Sequence, residues 1–269
     1  MQPNPEELVS PLLFLLTLGL MLFGLGLGVL AIQLIQGRHP QSGPPLPPAV
    51  GRRELFVGLG LFLLASIIVA GLTEAIGVEL DASRQLALSA ALMAVAIYPA
   101  LRSSIAADRL DALGWVSPGS GRGLRTGIMV WFLLMPLFFG FNLFWSQAWV
   151  FFTGELPVQD VKDLISTSGE GSGIIFLLVV FLMPFLEELL FRGVLLNSLR
   201  SRFGTAFAIG ASSLVFAALH GPAASGPIFV LALAMGGAMV LSGNLFVPFA
   251  LHAMNNGVQI VLLSFSTSL

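Results

Sequence analysis

From residue 11 to residue 36 this chain carries no charged side chain, and a run that long constrains the fold more than any motif does. A bilayer core about 30 Å thick takes roughly 20 apolar residues of helix. Seven further stretches qualify or come close: about 55–73, 85–101, 124–145, 173–199, 203–220, 226–242 and 244–264. The third and seventh spans are short, and only Ser242, Gly243 and Asn244 part the last two. Helices are the expected element, because an open sheet leaves backbone N–H and C=O groups unpaired in lipid. Composition agrees: 56% of residues are hydrophobic and 10% charged, where soluble domains average about 25% charged. The expected fold class is all-α, a polytopic transmembrane helical bundle of about eight spans.

The charges that remain are informative by position. Lys and Arg total 12 against 14 Asp and Glu, a net charge of −2. That leaves no basic field for nucleic acid; the expected partners are the lipid bilayer and a peptide or membrane-protein substrate. There is no cysteine, which removes disulfides, thiolate metal sites and cysteine nucleophiles. The first span has Glu6 and Glu7 before it instead of a basic region, and its apolar run exceeds a signal peptide's, so it reads as an anchor. Arg38, Arg52, Arg53, Arg102, Arg109, Arg122, Arg125, Arg200 and Arg202 fall on one side of the spans, and only Arg84 and Lys162 on the other. By the positive-inside rule the N-terminus is expected outside, in a bacterial plasma membrane.

Between spans, 39–50 is a proline-rich cytoplasmic linker expected to be extended, and its His39 is assigned no chemistry. Residues 147–172 are the largest external loop, with Trp145 and Trp149 as interfacial anchors at its start. Gly24-Leu25-Gly26-Leu27-Gly28 lacks the spacing of a dinucleotide fingerprint. A GxxxG packing face, or plain tolerance of glycine in membrane helices, accounts for it.

Three spans hold polar side chains that packing does not require. The fifth carries Glu187, Glu188 and Arg192; the sixth ends on His220; the eighth carries His252, Asn255 and Asn256. Each charge at mid-span costs about 2.5–3.5 kcal/mol even on a lenient scale. Glu188 and Arg192 stand at i and i+4 and can form a structural ion pair. Glu187 is rotated about 100° away and needs another partner. Counted from the turn near Ser201–Gly204, Glu187 and His220 both lie about 25 Å deep, so a Glu187–His220 contact is expected. His252 and Asn256, also i and i+4, come out shallower, about 13 and 20 Å from Gly243, within reach if the helices tilt. A Glu–His pair can hold and deprotonate a water; a second His and an Asn can donate hydrogen bonds to an oxyanion. The same Glu187, His220 and His252 are candidate metal ligands, for a divalent ion such as zinc. Pro184, one turn before Glu187, is expected to kink the span and free a carbonyl near the site.

Glu187-Glu188-Leu189-Leu190-Phe191-Arg192 resembles an EExxxR motif, Phe216 to His220 an FxxxH motif, and His252 to Asn256 an HxxxN motif. In that order on successive spans they resemble the CPBP family of intramembrane proteases, which includes type II CAAX prenyl endopeptidases and bacteriocin-processing or self-immunity proteins. The resemblance covers roughly 172–262; Asp111 to Trp115 is a faint echo of a family loop. It implies Glu187 as the general base, His220 helping to hold the water, and His252 and Asn256 stabilising the oxyanion. Glu188 and Arg192 are then structural. The expected organisation is N-terminal membrane helices over 1–122 and a protease core over 123–269. The expected function is intramembrane endopeptidase; the alternative is a catalytically idle relative that binds a peptide or acts as an immunity protein.

Overall fold

The structure, a computed structural model, describes residues 11–39, 60, 82–115, 119–155, 157 and 172–266. Among the described residues there are seven helices and no strand. They are α1 (Pro11–Arg38), α2 (Ala82–Ala106), α3 (Ser120–Thr153), α4 (Gly173–Phe203), α5 (Thr205–Ala218), α6 (Pro222–Ser242) and α7 (Phe246–Ser266). Seven of the eight expected stretches are helical, although α5, in the sixth, is only 14 residues long; the second, at 55–73, lies outside the described residues apart from residue 60, as does the proline-rich linker beyond His39. Five of the helices are long and apolar enough to cross a membrane. The short third span is a helix of 25 residues. The expected loop from 147 begins later, because α3 continues through Trp149 to Thr153 and closes on Gly154, whose N–H reaches the Val150 carbonyl at 2.8 Å.

What separates the helices from one another is how much lipid each faces. In its most apolar window α1 is 11% buried and α4 44%, so α1 lies at the periphery and α4 is the most enclosed. Interior placement is where charges in a membrane helix belong, and α4 is the helix that carries them. Around it stand α2, α5, α6 and α7; α3 packs on α1, α6 and α7.

Glycines let two of these contacts close to backbone distance. A Cβ on Gly24 of α1 would lie 2.6 Å from the Leu137 Cα in α3, and one on Gly127 of α3 would lie 2.7 Å from the Ala250 Cβ in α7. The packing face is therefore the reading of the Gly24–Gly28 run that the structure supports: both ends meet α3, while Gly26 faces open space.

The short turn Leu110–Leu113 pins α4 to the start of α7. Asn197 in α4 donates to the Ala112 carbonyl at 3.2 Å, and the Gly114 carbonyl accepts the Leu245 N–H at 2.8 Å. Trp115 then sets its ring edge-on to Phe185 in α4 and Phe246 in α7, at 5.4 and 6.1 Å. The segment that echoes a family loop is thus a fixed part of the bundle.

Candidate active site

The polar residues of α4 stand between two stretches of unusual helix. Leu178–Leu182 and Leu189–Leu196 are π-helical, and Met183–Glu188 between them is α-helical. Wide turns of this kind are rare and gather at functional sites. The second stretch of eight residues follows directly on Glu188, and it is here that α7 brings His252 against both glutamates.

The resulting contact set is linear. Arg192 Nε lies 3.2 Å from Glu188 Oε2. Glu188 Oε1 accepts a hydrogen bond from His252 Nδ1 at 3.0 Å. The other ring nitrogen, Nε2, faces Glu187 Oε2 at 3.6 Å. Arg192 donates through Nη2 to the Ala232 carbonyl in α6 at 3.3 Å, and its guanidinium stands 4.5 Å from the Phe216 ring centre, close enough for a cation–π contact. Glu188 is 0% and Arg192 1% exposed, so the pair of i and i+4 residues is buried as the sequence suggests.

The expected Glu187–His220 contact is replaced. The imidazole facing Glu187 is that of His252, and the His220 Nδ1 donates instead to the Phe216 carbonyl one turn back, at 2.8 Å. The physical reason is that α5 ends at Ala218, so His220 sits past the last helical turn and caps it. That bond makes Nδ1 a donor, because a carbonyl oxygen can only accept. Asn256 donates through Nδ2 to the Val179 carbonyl in α4 at 3.0 Å.

Phe216 is the residue that reading by chemistry passes over. It is 1% exposed and touches both histidines and the arginine: His220 at 4.6 Å and His252 at 5.7 Å between ring centres, with Arg192 over its face and Phe191 at 4.9 Å. The signal was its spacing, since residues four apart share a helix face. Trp145 donates its indole N–H to the Ala223 carbonyl at 2.7 Å and covers Gly226. His39 is not idle either. The Thr126 hydroxyl gives its hydrogen to the Arg122 carbonyl at 2.9 Å, so at 3.2 Å it accepts from His39 Nε2.

As zinc ligands, Glu187, His220 and His252 fit poorly in this arrangement. His252 presents one nitrogen to each carboxylate, and His220 has one nitrogen on a backbone carbonyl. Among the described residues no three His, Asp or Glu side chains are grouped to hold an ion.

Residues 170–258 match the family described as Type II CAAX prenyl endopeptidase Rce1-like. Among curated proteins, the "Uncharacterized 24.3 kDa protein" of Escherichia coli is 37% identical over 109 residues, which cover 38% of this chain and 46% of that relative. The chain therefore spans under half the length of the curated relative it matches. No solved structure matches it. The matched segment holds all three motifs and every contact between Glu187, Glu188, Arg192 and His252, and over it this chain is similar to the type II CAAX prenyl endopeptidase family.

Proposed function

We propose that the protein is an intramembrane endopeptidase in which Glu187 activates a water for attack on a peptide bond. The observation that carries this reading is the unequal commitment of two adjacent carboxylates. Glu188 is held by Arg192 and His252 and shut off from solvent; the Glu187 side chain keeps 11% of its surface, and His252 stands 3.6 Å from it. That distance is too long for a direct hydrogen bond and suits a carboxylate that holds a water.

In this mechanism the water gives one hydrogen bond to Glu187 and one to the free Nε2 of His220. Glu187 takes the proton as the oxygen attacks the carbonyl carbon. His252, carrying both ring protons, gives one to Glu188 and presents the other to the developing oxyanion. Glu188 thus orients the ring as the buried carboxylate does in a catalytic triad. The second Nδ2 hydrogen of Asn256 completes the oxyanion contacts. Glu187 then returns the proton to the departing amine as the C–N bond breaks. His252 lies six residues into α7, about 9 Å of helix from its start, and the substrate in this reading is a peptide or a membrane protein. The arginine-bearing ends of α1, α2, α3 and α4 face the cytoplasm, which puts the N-terminus outside.

The test is a comparison of Glu187→Gln with Glu188→Gln in purified protein given peptide substrates. Glu187→Gln is expected to lower the rate by about 10²–10⁴, the range of a general base, with the thermal midpoint held. Glu188→Gln is expected to lower the midpoint as well. Cleavage that survives Glu187→Gln overturns the mechanism and favours the peptide-binding alternative.

A further inference from the structure

We infer that Pro184 is a positioning residue for Asn256 and acts through the backbone carbonyl of Val179. In the first π-helical stretch the Met183 N–H reaches back five residues to the Leu178 carbonyl. One step on, the N–H that would reach Val179 in the same register belongs to Pro184, which has none. Its ring also crowds the carbonyl four residues back, and the wide turn at Leu178–Leu182 is where that crowding is relieved. The Val179 carbonyl is left without a partner from its own helix, at a depth where lipid supplies none. Asn256 supplies it from α7, at 3.0 Å.

The bond does more than satisfy a carbonyl. An Asn amide turned end for end presents an acceptor where it had donors. With one Nδ2 hydrogen on Val179, the amide is held nitrogen toward α4, and its second hydrogen is fixed in direction. Pro184 therefore decides which end of Asn256 a substrate meets. For its effect on rate this rests on the role proposed above for Asn256; the link from Pro184 to Val179 to Asn256 rests on geometry.

Pro184→Ala restores an N–H at 184 that can take the Val179 carbonyl and release Asn256. Expected is a fall in kcat of about tenfold with KM within about twofold, and an unchanged acid limb of the pH–rate profile, since Glu187 is untouched. Asn256→Ala is expected to cost about a hundredfold, as for a lost oxyanion donor, and the double variant no more than Asn256→Ala, because both changes remove one interaction. Multiplying losses, or a Pro184→Ala variant with full kcat, would overturn the inference. A second readout needs no turnover. Asn256→Ala is expected to lower the thermal midpoint by about 2 °C in the wild-type background and to leave it unchanged beside Pro184→Ala. Equal drops in both backgrounds overturn the link. Cleavage that survives Glu187→Gln would remove the proposed mechanism while this thermal comparison still decides the link.

Discussion

At the scale of single residues, the buried charges of α4 set the stakes. Arg192 has given up hydration for one carboxylate, one carbonyl and one aromatic face. Arg192→Met leaves Glu188 charged and short of its main partner in an apolar interior, and is expected to cost about 3–5 kcal/mol. Arg192→Lys is expected to rescue little of it, since an ammonium lacks the planar face that lies over Phe216. Thermal unfolding in detergent checks both; an unchanged midpoint in Arg192→Met would contradict the pairing. The identities of these residues, and the Glu188–Arg192 spacing, were legible in the sequence. The partner of Glu187 was not. Spacing along single helices does not show that α5 ends at Ala218, before His220, or that α7 packs its His252 against α4.

His39 makes a second residue-scale case. Burial, then the charges of Arg122 and Arg38, hold its pKa below the ordinary 6.5. The unfolded chain therefore binds a proton here at a higher pH than the folded one. Stability is complete above about pH 6.5 and falls as the pH drops from there toward the folded pKa. His39→Gln is expected to flatten that fall, measured as thermal midpoint between pH 7.5 and 5.5. An identical slope in both proteins would show that the histidine does not contribute.

Helices bring a different kind of constraint, closeness of backbones. Gly24 and Gly26 lie two residues apart in α1, one against the backbone of Leu137 and one facing open space. Gly24→Leu is expected to push α1 off α3 and lower the midpoint by several degrees, whereas Gly26→Leu is expected to leave it within about 1 °C. Equal effects would contradict the packing. The existence of the spans was readable because about 20 apolar residues leave few other outcomes. Their ends were less so. The helix α3 outruns its apolar stretch to Thr153, where Gly154 adopts a φ of 73° that favours glycine. The partner of the Trp145 indole N–H, the Ala223 carbonyl, was not readable either, because only the folded position of α6 brings it near.

Among the helices long and apolar enough to cross a membrane, α4, which carries the buried charges, is the most enclosed, and the uncharged run of α1 is the least. Among the described residues, the arginines other than Arg84 and Arg192 gather at the ends of α1, α2, α3 and α4 that the proposed orientation turns to the cytoplasm. The lack of any cysteine makes that orientation directly readable. Ser201→Cys, in the turn after the second π-stretch, is expected to resist a membrane-impermeant maleimide in intact cells and react once they are opened. Thr153→Cys, at the far end of α3, is expected to react in intact cells. The reverse pattern would turn the molecule over.

The central claim is that Glu187 hydrolyses peptide bonds, and the most direct measurement compares new peptide termini across the proteome of cells making wild-type protein or Glu187→Gln at matched levels. The account predicts termini that appear only with the wild type, within or beside membrane segments. The same termini in both cultures would contradict it, as would none at all in the presence of folded wild-type protein.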